Sequence, residues 1–509
     1  MTAEIISGAR RRALSEIGQH ARQAASALEA LGVGEGDAVA IYLRNDFPFW
    51  EAAFGAVTLG AYAVPVNWHY KADEAGYVLR DCGAKAVVVH ADLLPNIAEA
   101  IPTGCTPLVV PTPPEIAEAY GFEAQPVPDG AMAWEDFIAG QPEWNGPARQ
   151  LRSTMIYTSG TTGRPKGVRR DPADAEHQAM IADVTALVMG MREGEPTRAV
   201  LTGPIYHSAP CAYAQAAART GGLVVSMPRF DAEELLRLIE RHRITHVHMV
   251  PTMFVRLLKL PKEVRAKYDV SSLRNVVHAA APCPPHVKQA MIEWWGPVIN
   301  EYYGATETGA VVYHTAPEAL RKPGTVGKPV PRGEVAILDE DGQRLPTGEI
   351  GEVYLRLHAY PDFTYQNRPD ARAECGRDHL VTAGDVGYVD DDGYLYLCDR
   401  RRDMVISGGV NIYPAEIEAV LIGMPGVKDC AIFGIPDEEF GESLACHVEP
   451  EPGADLGLEA VRSYLRERVA GYKVPKLIEI ARDLPREDSG KIFKRKLREP
   501  YWQDAGRRI

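Results

Sequence analysis

The chain has 509 residues, and 55 Lys and Arg against 69 Asp and Glu give it a net charge of −14. Apolar residues make up 46% and charged residues 24%, which is typical of a folded, water-soluble protein and disfavours a disordered or fibrous chain. The acidic balance disfavours an extended nucleic-acid-binding surface. At roughly 150 residues per domain, the length predicts about three domain-sized masses.

Cysteine spacing and hydropathy bear on the compartment. The eight cysteines show no CxxC spacing, so neither a cysteine zinc site nor a disulfide framework is indicated, and a reducing compartment is expected. No apolar run reaches the length of about 18 residues that a membrane span needs, and the N-terminus lacks the apolar core of a signal peptide. We therefore expect no membrane span and a cytoplasmic location.

The first several hundred residues alternate between helix and strand patterns. Residues from about 12 to 31 have apolar side chains at helical spacing, and the turn GVGEGD leads from them into the strand AVAIYL. A second helix carries Trp50, and the short apolar runs AYAVPVN, AKAVVVH, GGLVVSM and LRNVVHAAAP follow. Such runs between helices predict parallel strands covered on both faces, and hence a large α/β body. The Pro-rich piece from Pro107 to Pro114 is interpreted as a surface loop.

The pattern changes in the last third of the chain. From about Lys328, alternating runs separated by DG dipeptides predict hairpins of a small β subdomain. After Arg400, the order helix, strand, strand, helix, strand predicts a compact α+β unit of about 100 residues. We expect this unit to act as a mobile lid.

The segment YTSGTTGRPKGV, from Tyr157 to Val168, is the strongest functional motif. Hydroxyl residues interleaved with glycines let backbone N–H groups approach phosphate oxygens, and Lys166 adds a positive charge. The motif lacks the GxxxxGK[ST] spacing of a Walker loop. Judged by its composition alone, it could equally be a surface turn.

The whole string resembles the nucleotide-phosphate signature of the adenylate-forming superfamily, which includes acyl-CoA synthetases, adenylation domains and beetle luciferases. Three further segments resemble signatures of that superfamily in the same order: EYYGATETG (Glu301 to Gly309), TAGDVGYVDDDGYLYLCDRRRDMVISGGVNIYPAEIE (Thr382 to Glu418) and LPREDSGKIFKRKLR (Leu484 to Arg498). The resemblance implies an N-terminal domain over 1–400, built from two α/β subdomains and a small β subdomain. It also implies a mobile α+β C-terminal domain over 401–509 with a hinge at about 400–403, where Arg402 takes the hinge position.

The resemblance also implies a set of site residues and the use of ATP, Mg²⁺ and CoA. The β- and γ-phosphates would be held by Thr158, Ser159, Gly160, Thr161, Thr162 and Lys166. Thr306 would contact the α-phosphate and Glu307 would bind Mg²⁺, which prefers oxygen ligands. The adenine would lie along Ala280, Ala281, Pro282 and Tyr303, and the ribose hydroxyls would bind Asp385 and Arg400. Gly408 and Gly409 would line the pantetheine tunnel.

Lys491 is the implied catalyst of the first half-reaction. Attack of a carboxylate on the α-phosphate brings two anions together, and a cation between them lowers that barrier. A lysine near a C-terminus is otherwise an ordinary surface charge, and the basic run KIFKRKLR around it is interpreted as a solvated face.

The residues around His207 bear on the acid substrate. The resemblance places His207 near the bound carboxylate, although a buried structural histidine is the alternative. The candidate wall residues are mostly small and apolar: Ala209, Pro210, Cys211, Ala212, Tyr213, Ala214, Ala279, Ala310 and Val311. Such a wall favours a hydrophobic monocarboxylic acid, whether fatty, aryl-alkyl or sterol-derived. Arg169, Arg170 and Asp171 stand where relatives frequently have a Thr-His pair, and the sequence alone does not explain them.

We therefore expect an ATP-dependent acid-CoA ligase that works through an acyl adenylate and releases pyrophosphate and AMP. One alternative is a stand-alone adenylation enzyme that loads an acyl or aryl acid onto carrier-protein pantetheine. Another is a catalytically silent nucleotide-binding protein, which is disfavoured because Glu307, Asp385, Arg400 and Lys491 are all present. The expected partners are the acid, ATP and CoA, with a homodimer left open.

Overall fold

The computed structural model describes residues 3–158, 164–407, 410–437, 439–486 and 492–503. Its strands are β1 (Glu4–Ser7), β2 (Arg10–Ala13), β3 (Ala38–Tyr42), β4 (Tyr62–Pro65), β5 (Ala84–His90), β6 (Thr106–Val110), β7 (Ile156–Thr158), β8 (Lys166–Arg170), β9 (Arg198–Leu201), β10 (Leu223–Ser226), β11 (His246–Met249), β12 (Asn275–His278), β13 (Ile299–Ala305), β14 (Gly309–His314), β15 (Thr325–Pro329), β16 (Gly333–Leu338), β17 (Gly351–Leu357), β18 (Phe363–Tyr365), β19 (Gly376–Arg377), β20 (Leu380–Val389), β21 (Leu395–Arg400), β22 (Val405–Ser407), β23 (Val410–Ile412), β24 (Val427–Asp437), β25 (Gly441–Pro450) and β26 (Leu477–Ile480).

The α-helices of the described residues are α1 (Leu14–Ala30), α2 (Phe47–Thr58), α3 (Ala72–Asp81), α4 (Leu94–Ile97), α5 (Pro114–Tyr120), α6 (Trp134–Ile138), α7 (Ala175–Met189), α8 (Ser208–Arg219), α9 (Ala232–His242), α10 (Pro251–Leu258), α11 (Lys262–Lys267), α12 (Pro285–Trp295), α13 (Ala316–Arg321), α14 (Pro369–Glu374), α15 (Pro414–Leu421), α16 (Leu458–Arg466) and α17 (Lys494–Trp502). Short 3₁₀ helices span Ala98–Ala100 and Gly471–Lys473. Each of these helices is either too short or too polar to cross a membrane.

Two sheets, one parallel and one mixed, form the α/β body. One has the strand order β4-β3-β5-β6, and in the other β1, β10, β9, β11, β12 and β13 run parallel in that order. Their strands are almost wholly buried, as the apolar runs predicted. The mixed α/β fold with a large N-terminal part and a smaller C-terminal part is thereby confirmed.

The interpretation of Pro107 to Pro114 as a surface loop is wrong for its first half. Residues Thr106–Val110 form β6, which lies at the edge of the first sheet and pairs with β5. Proline lacks a backbone donor, so an edge strand tolerates it. Leu108 and Val109 are completely buried there.

The predicted β subdomain is present. Strands β16, β17, β20 and β21 are antiparallel neighbours, and β21 pairs with β15 to join them to the larger sheet. A DG turn follows β16, and a second closes the hairpin between β20 and β21 at Gly393. This sheet matters for the site because β20 and β21 carry two of the predicted nucleotide ligands.

The C-terminal part has a sheet and a core of its own. Strands β22 to β26 form one sheet, and α15 and α16 pack on it through Ile417, Leu421, Val461 and Leu465. A turn precedes β22, in which the Asp403 N–H donates to the Arg400 carbonyl at 2.9 Å. The hinge at 400–403 and the domain limits 1–400 and 401–509 stay predictions.

One expectation about this part needs correction. The basic run KIFKRKLR is not wholly a solvated face, because Lys494 Nζ lies 2.7 Å from Glu418 Oε1. Both side chains are less than one-fifth exposed. This ion pair ties α17 to α15.

The cysteine thiols are all free. Burial raises the pKa of Cys211 to about 11 and that of Cys82 to about 12. Neither thiol is therefore a nucleophile at neutral pH, because the thiolate is the reactive form.

Two buried histidines predict that acid destabilises the fold. Burial lowers the pKa of His248 to about 4 and that of His278 to about 3, whereas both groups take up a proton near pH 6.5 when unfolded. The unfolded chain therefore binds more protons, and stability present above about pH 6.5 falls as pH decreases. We expect a loss of roughly 1.4 kcal/mol per pH unit for each histidine between about pH 6.5 and pH 5. Urea unfolding of the wild type and of His278→Leu at several pH values checks this, since the variant should have about half the slope.

Candidate active site

A cleft of about 3610 Å³ passes between the α/β body, the β subdomain and the C-terminal residues. All predicted site residues in the described part of the chain line it: Thr158, Lys166, His207, Ala280, Ala281, Pro282, Tyr303, Thr306, Glu307, Asp385 and Arg400. The other predicted site residues, Ser159, Gly160, Thr161, Thr162, Gly408, Gly409 and Lys491, lie outside the described residues. Residues far apart in the chain thus meet at one cleft.

The residues at the two ends of the phosphate motif form the two strands of a hairpin. Strands β7 and β8 are antiparallel, with Thr158 opposite Lys166 and Tyr157 opposite Gly167. A side chain at Gly167 would place its Cβ 2.7 Å from the Tyr157 ring, so glycine is required there.

Glu307 lies in the tight turn between β13 and β14. Gly304 lies near the end of β13, and any side chain there would collide with the Gly309 carbonyl oxygen. The Tyr365 hydroxyl donates to Glu307 Oε1 at 2.9 Å, and the Thr158 hydroxyl lies 3.5 Å from the same oxygen. A carboxylate beside two hydroxyls on a solvent-accessible cleft suits a hard cation such as Mg²⁺.

Arg170 links the phosphate hairpin to the turn of Glu307. Its side chain is 7% exposed, and Nη2 donates to the carbonyl oxygens of Thr306 at 2.9 Å and of Glu307 at 2.6 Å. Nη1 donates to the Pro361 carbonyl at 3.2 Å. Burial lowers the pKa of the guanidinium, but arginine remains a cation in proteins. The basic residue that the sequence left unexplained is thus a clamp behind the predicted Mg²⁺ and α-phosphate ligands.

The predicted ribose ligand is held by its neighbours. Asp385 and Arg400 are paired across β20 and β21, and Arg400 Nε lies 3.5 Å from Asp385 Oδ1. The Tyr303 hydroxyl donates to Asp385 Oδ2 at 2.6 Å. Burial raises the pKa of Tyr303, so the hydroxyl stays protonated as a donor. The predicted contact of Tyr303 with adenine stays a prediction, and the structure shows in addition that its hydroxyl supports Asp385.

The predicted adenine segment has an unusual backbone. Ala280 has φ of 73°, in the left-handed region that non-glycine residues rarely adopt. Behind the segment, His314 Nε2 lies 2.9 Å from Glu301 Oε2, and Lys288 forms an ion pair with the same carboxylate. Opposite charge keeps the pKa of this buried Glu301 below its usual range, so the carboxylate remains ionised.

His207 precedes the helix that carries the predicted acid wall. It is the residue before the first turn of α8, and its ring centroid lies 4.4 Å from that of Tyr206. The predicted wall residues Ala209, Pro210, Cys211, Ala212, Ala279 and Ala310 line the cleft, and so do Gln215 and Ala216 of α8.

Three of the candidate wall residues do not line the cleft. Tyr213 and Ala214 lie on the opposite face of α8 in the core, and Trp50 Nε1 donates to the Ala214 carbonyl at 3.2 Å. Val311 is also completely buried. The helix turns about 100° per residue, so after its first turn Tyr213 and Ala214 face the core while Gln215 and Ala216 face the cleft.

The residues on either side of the 487–491 segment also line the cleft. Arg486 and Ile492 form an antiparallel bridge, and Arg486 pairs with Asp429 at 2.6 Å and with Glu449 at 2.8 Å. The ends of the chain segment that contains Lys491 are thus fixed to the C-terminal sheet.

Comparison with known proteins identifies the family. The model of the AMP-binding enzymes matches residues 3–359, and the model of the AMP-binding enzyme C-terminal domain matches residues 416–491. The chain belongs to the AMP-binding enzyme family. Its resemblance to the adenylate-forming superfamily is thereby confirmed.

Several members of this family are similar to the chain over nearly its full length. It is 33% identical to the long-chain-fatty-acid–CoA ligase FadD13 of Mycobacterium tuberculosis, with 94% of this chain and 91% of that protein covered. It is 32% identical to the fatty acid–[acyl-carrier-protein] ligase ScoC of Streptomyces coeruleorubidus, with coverage of 97% and 92%. The crystal structure of ATP-bound MatB from Rhodopseudomonas palustris superposes with a TM-score of 0.84 at 27% identity, with 99% of this chain and 96% of that chain covered.

Two residues that contact the Glu307 turn were not predicted as part of the site. Arg170 was noted only as a departure, and Tyr365 was not noted at all. Both act through pairing of β8 with β18, in which Val168 lies opposite Tyr365. A pairing between segments about 200 residues apart leaves no local pattern that a single sequence could reveal.

Removal of the Tyr303 hydroxyl should weaken ATP binding. Tyr303→Phe deletes one hydrogen bond to Asp385 and leaves the ring in place. One such bond is worth about 1 kcal/mol, so we expect the KM for ATP to rise roughly fivefold with little change in the KM for the acid. Steady-state kinetics measure both constants. Tyr313→Phe is the matched control, because Tyr313 lies on the neighbouring strand and does not line the cleft; an equal effect of both variants would contradict the assignment.

Proposed function

We propose that the protein is an AMP-forming acid-CoA ligase that activates a hydrophobic monocarboxylic acid through an acyl adenylate. The observation that carries this proposal is the convergence on one cleft of the phosphate hairpin, Glu307 and Asp385 with an apolar helix face that begins at His207. A nucleotide and an acid could therefore bind side by side. Family membership makes adenylate chemistry the expected use of such a cleft.

In the first half-reaction, an oxygen of the acid's carboxylate attacks the α-phosphorus of ATP. The new P–O bond replaces the bond to the β-phosphate bridging oxygen, and pyrophosphate leaves with that electron pair. Thr158, Ser159, Thr161, Thr162 and Lys166 would hold the leaving phosphates, and Thr306 would contact the α-phosphate. Mg²⁺ would neutralise phosphate charge, with Glu307 as the protein ligand.

In the second half-reaction, the thiol sulfur of CoA attacks the acyl carbonyl carbon. The thioester bond forms, the bond to the AMP oxygen breaks, and the thiol proton is released. Gly408 and Gly409 would line the path of the pantetheine arm, since glycines leave room for a narrow chain. His207 would lie at the junction of acid and thiol.

The acid side of the cleft supports a hydrophobic substrate. Besides the small residues of α8, Ile181, Ala182 and Met189 of α7 line the same cleft. Gln215 also lines the cleft, and its amide Nε2 already donates a hydrogen bond to the Thr154 hydroxyl at 3.0 Å. The cleft as a whole also has charged lining residues, among them Arg192, Glu193 and Arg219, so the preference for an apolar tail rests on the α7 and α8 residues named here.

A carrier-protein acceptor is the second candidate, favoured by the similarity to ScoC, which is named for an acyl-carrier-protein substrate. Both acceptors present the same pantetheine thiol, so the cleft chemistry is shared. They differ in what surrounds the mouth of the tunnel.

The decisive experiment incubates the protein with ATP, Mg²⁺ and a panel of fatty, aryl-alkyl and sterol-derived acids. We expect acid-dependent formation of AMP and pyrophosphate, and an acyl thioester when CoA is added. Formation of ADP and phosphate would exclude the mechanism. Parallel reactions with free CoA and with a holo-carrier protein separate the two acceptors, and a panel without any acid-dependent pyrophosphate exchange would favour a silent nucleotide-binding protein.

A further inference from the structure

Three potential metal ligands meet on the β subdomain, outside the cleft. Glu334 lies in β16, His358 directly follows β17, and His379 directly precedes β20. Strand β17 lies between β16 and β20 in the sheet, so three adjacent strands each supply one side chain. Their ligand atoms all lie within 4.8 Å of one another.

The two imidazoles converge on one carboxylate oxygen. His379 Nε2 lies 2.7 Å and His358 Nε2 lies 3.4 Å from Glu334 Oε2, and the two ring centroids are 5.7 Å apart. Donor atoms about 2.0 to 2.2 Å from Zn²⁺ in a tetrahedral site are roughly 3.3 to 3.6 Å apart. Small rotations of these side chains would therefore bring all three donor atoms into a zinc coordination sphere.

The surroundings of Glu334 favour its use as a ligand. Arg344 Nη2 donates to the other carboxylate oxygen, Oε1, at 2.6 Å, which orients the group and leaves Oε2 towards the histidines. Outer hydrogen bonds of this kind fix the carboxylates of metal sites.

Solvent reaches the cluster freely. The side chains of His358 and His379 are 48% and 53% exposed. A polar depression of about 410 Å³, lined by Asp341, Arg344 and His379 among others, lies beside them. An ion therefore has an entry path, and water can complete the coordination that three protein ligands leave open.

We propose that Glu334, His358 and His379 form a Zn²⁺-binding site that joins three strands of the β subdomain. Two imidazoles and one carboxylate suit Zn²⁺, whereas Mg²⁺ prefers an all-oxygen set. The spacing of the three residues, 24 and 21 positions apart, matches no short motif, because strand pairing brings them together. This site is independent of the proposed ligase activity.

The test is a calorimetric titration of chelator-treated full-length protein with Zn²⁺. We expect saturable binding of one ion, no comparable binding of Mg²⁺, and a higher thermal midpoint with Zn²⁺ present. His358→Ala and His379→Ala should each weaken Zn²⁺ binding at least tenfold and remove most of the thermal shift. Binding of Co²⁺ should give the intense visible absorption of a four-coordinate site in the wild type and lose it in both variants.

A matched control uses a histidine with a single carboxylate neighbour. His177 Nδ1 lies 2.7 Å from Asp174 on the surface, so His177→Ala removes a similar imidazole–carboxylate pair without touching the cluster. Its Zn²⁺ affinity should equal that of the wild type. If His358→Ala or His379→Ala folds poorly, Glu334→Gln keeps the shape of the cluster and should show the same loss. No saturable binding, or equal affinity in the cluster variants and the control, would show that the cluster is only an ion pair and overturn the proposal.

Discussion

Lys491→Ala is expected to lower the rate of acyl-adenylate formation by about 10²- to 10³-fold and to leave thioester formation from supplied acyl adenylate largely intact. A preorganised donor that stabilises developing charge in a transition state is worth about this factor. The first half-reaction joins two anions, so it needs the cation. The second does not, because a neutral carbonyl carbon is attacked and AMP leaves.

Two assays separate these steps. Acid-dependent exchange of labelled pyrophosphate into ATP reports the first, and conversion of synthetic acyl adenylate with CoA reports the second. Lys476→Ala is a suitable control, because Lys476 is an exposed lysine of the C-terminal part that pairs with Asp437 and does not line the cleft. Equal losses in both steps for Lys491→Ala would indicate a structural role instead.

Sequence patterns predicted the helices, strands and turns that depend on residues close together in the chain. The helix from about residue 12 is α1, the buried apolar runs are parallel strands, and the DG dipeptides are hairpin turns. The Pro-rich segment failed because an edge strand and a loop tolerate proline equally, and the sheet position of a strand is set by distant pairing. The described residues that the family-like motifs predicted for the nucleotide all line one cleft, and their roles stay predictions.

The contacts that hold those residues could not be predicted. Tyr303 reaches Asp385 across 82 positions, and Tyr365 reaches Glu307 across 58. Such pairs depend on how the β subdomain packs against the α/β body. Three of the nine candidate wall residues do not line the cleft, and for two of them the reason is simpler: the helical period places Tyr213 and Ala214 in the core.

Arg170→Met should lower adenylation by roughly 10²-fold, since displacement of a reacting group by about 1 Å costs that much. The guanidinium fork holds the carbonyls of Thr306 and Glu307 at a fixed distance from the phosphate hairpin. Methionine fills a similar volume but donates no hydrogen bond, so the Glu307 turn would no longer be held in position relative to the phosphate hairpin. Arg170→Lys should rescue little, because an ammonium group cannot reproduce the planar fork.

The neighbouring arginine distinguishes this clamp from a general need for positive charge. Arg169 donates to the Tyr62 hydroxyl and to Gln366 Oε1, both at 3.3 Å, and within the described part of the chain it donates no hydrogen bond to the Glu307 turn. Arg169→Met should therefore retain most pyrophosphate exchange, although it removes the same charge one residue away. Because the clamp positions ligands of ATP phosphates, Arg170→Met should impair exchange more than thioester formation from supplied adenylate. If Arg170→Met lowers the thermal midpoint and reduces both steps equally, Arg170 contributes to stability alone.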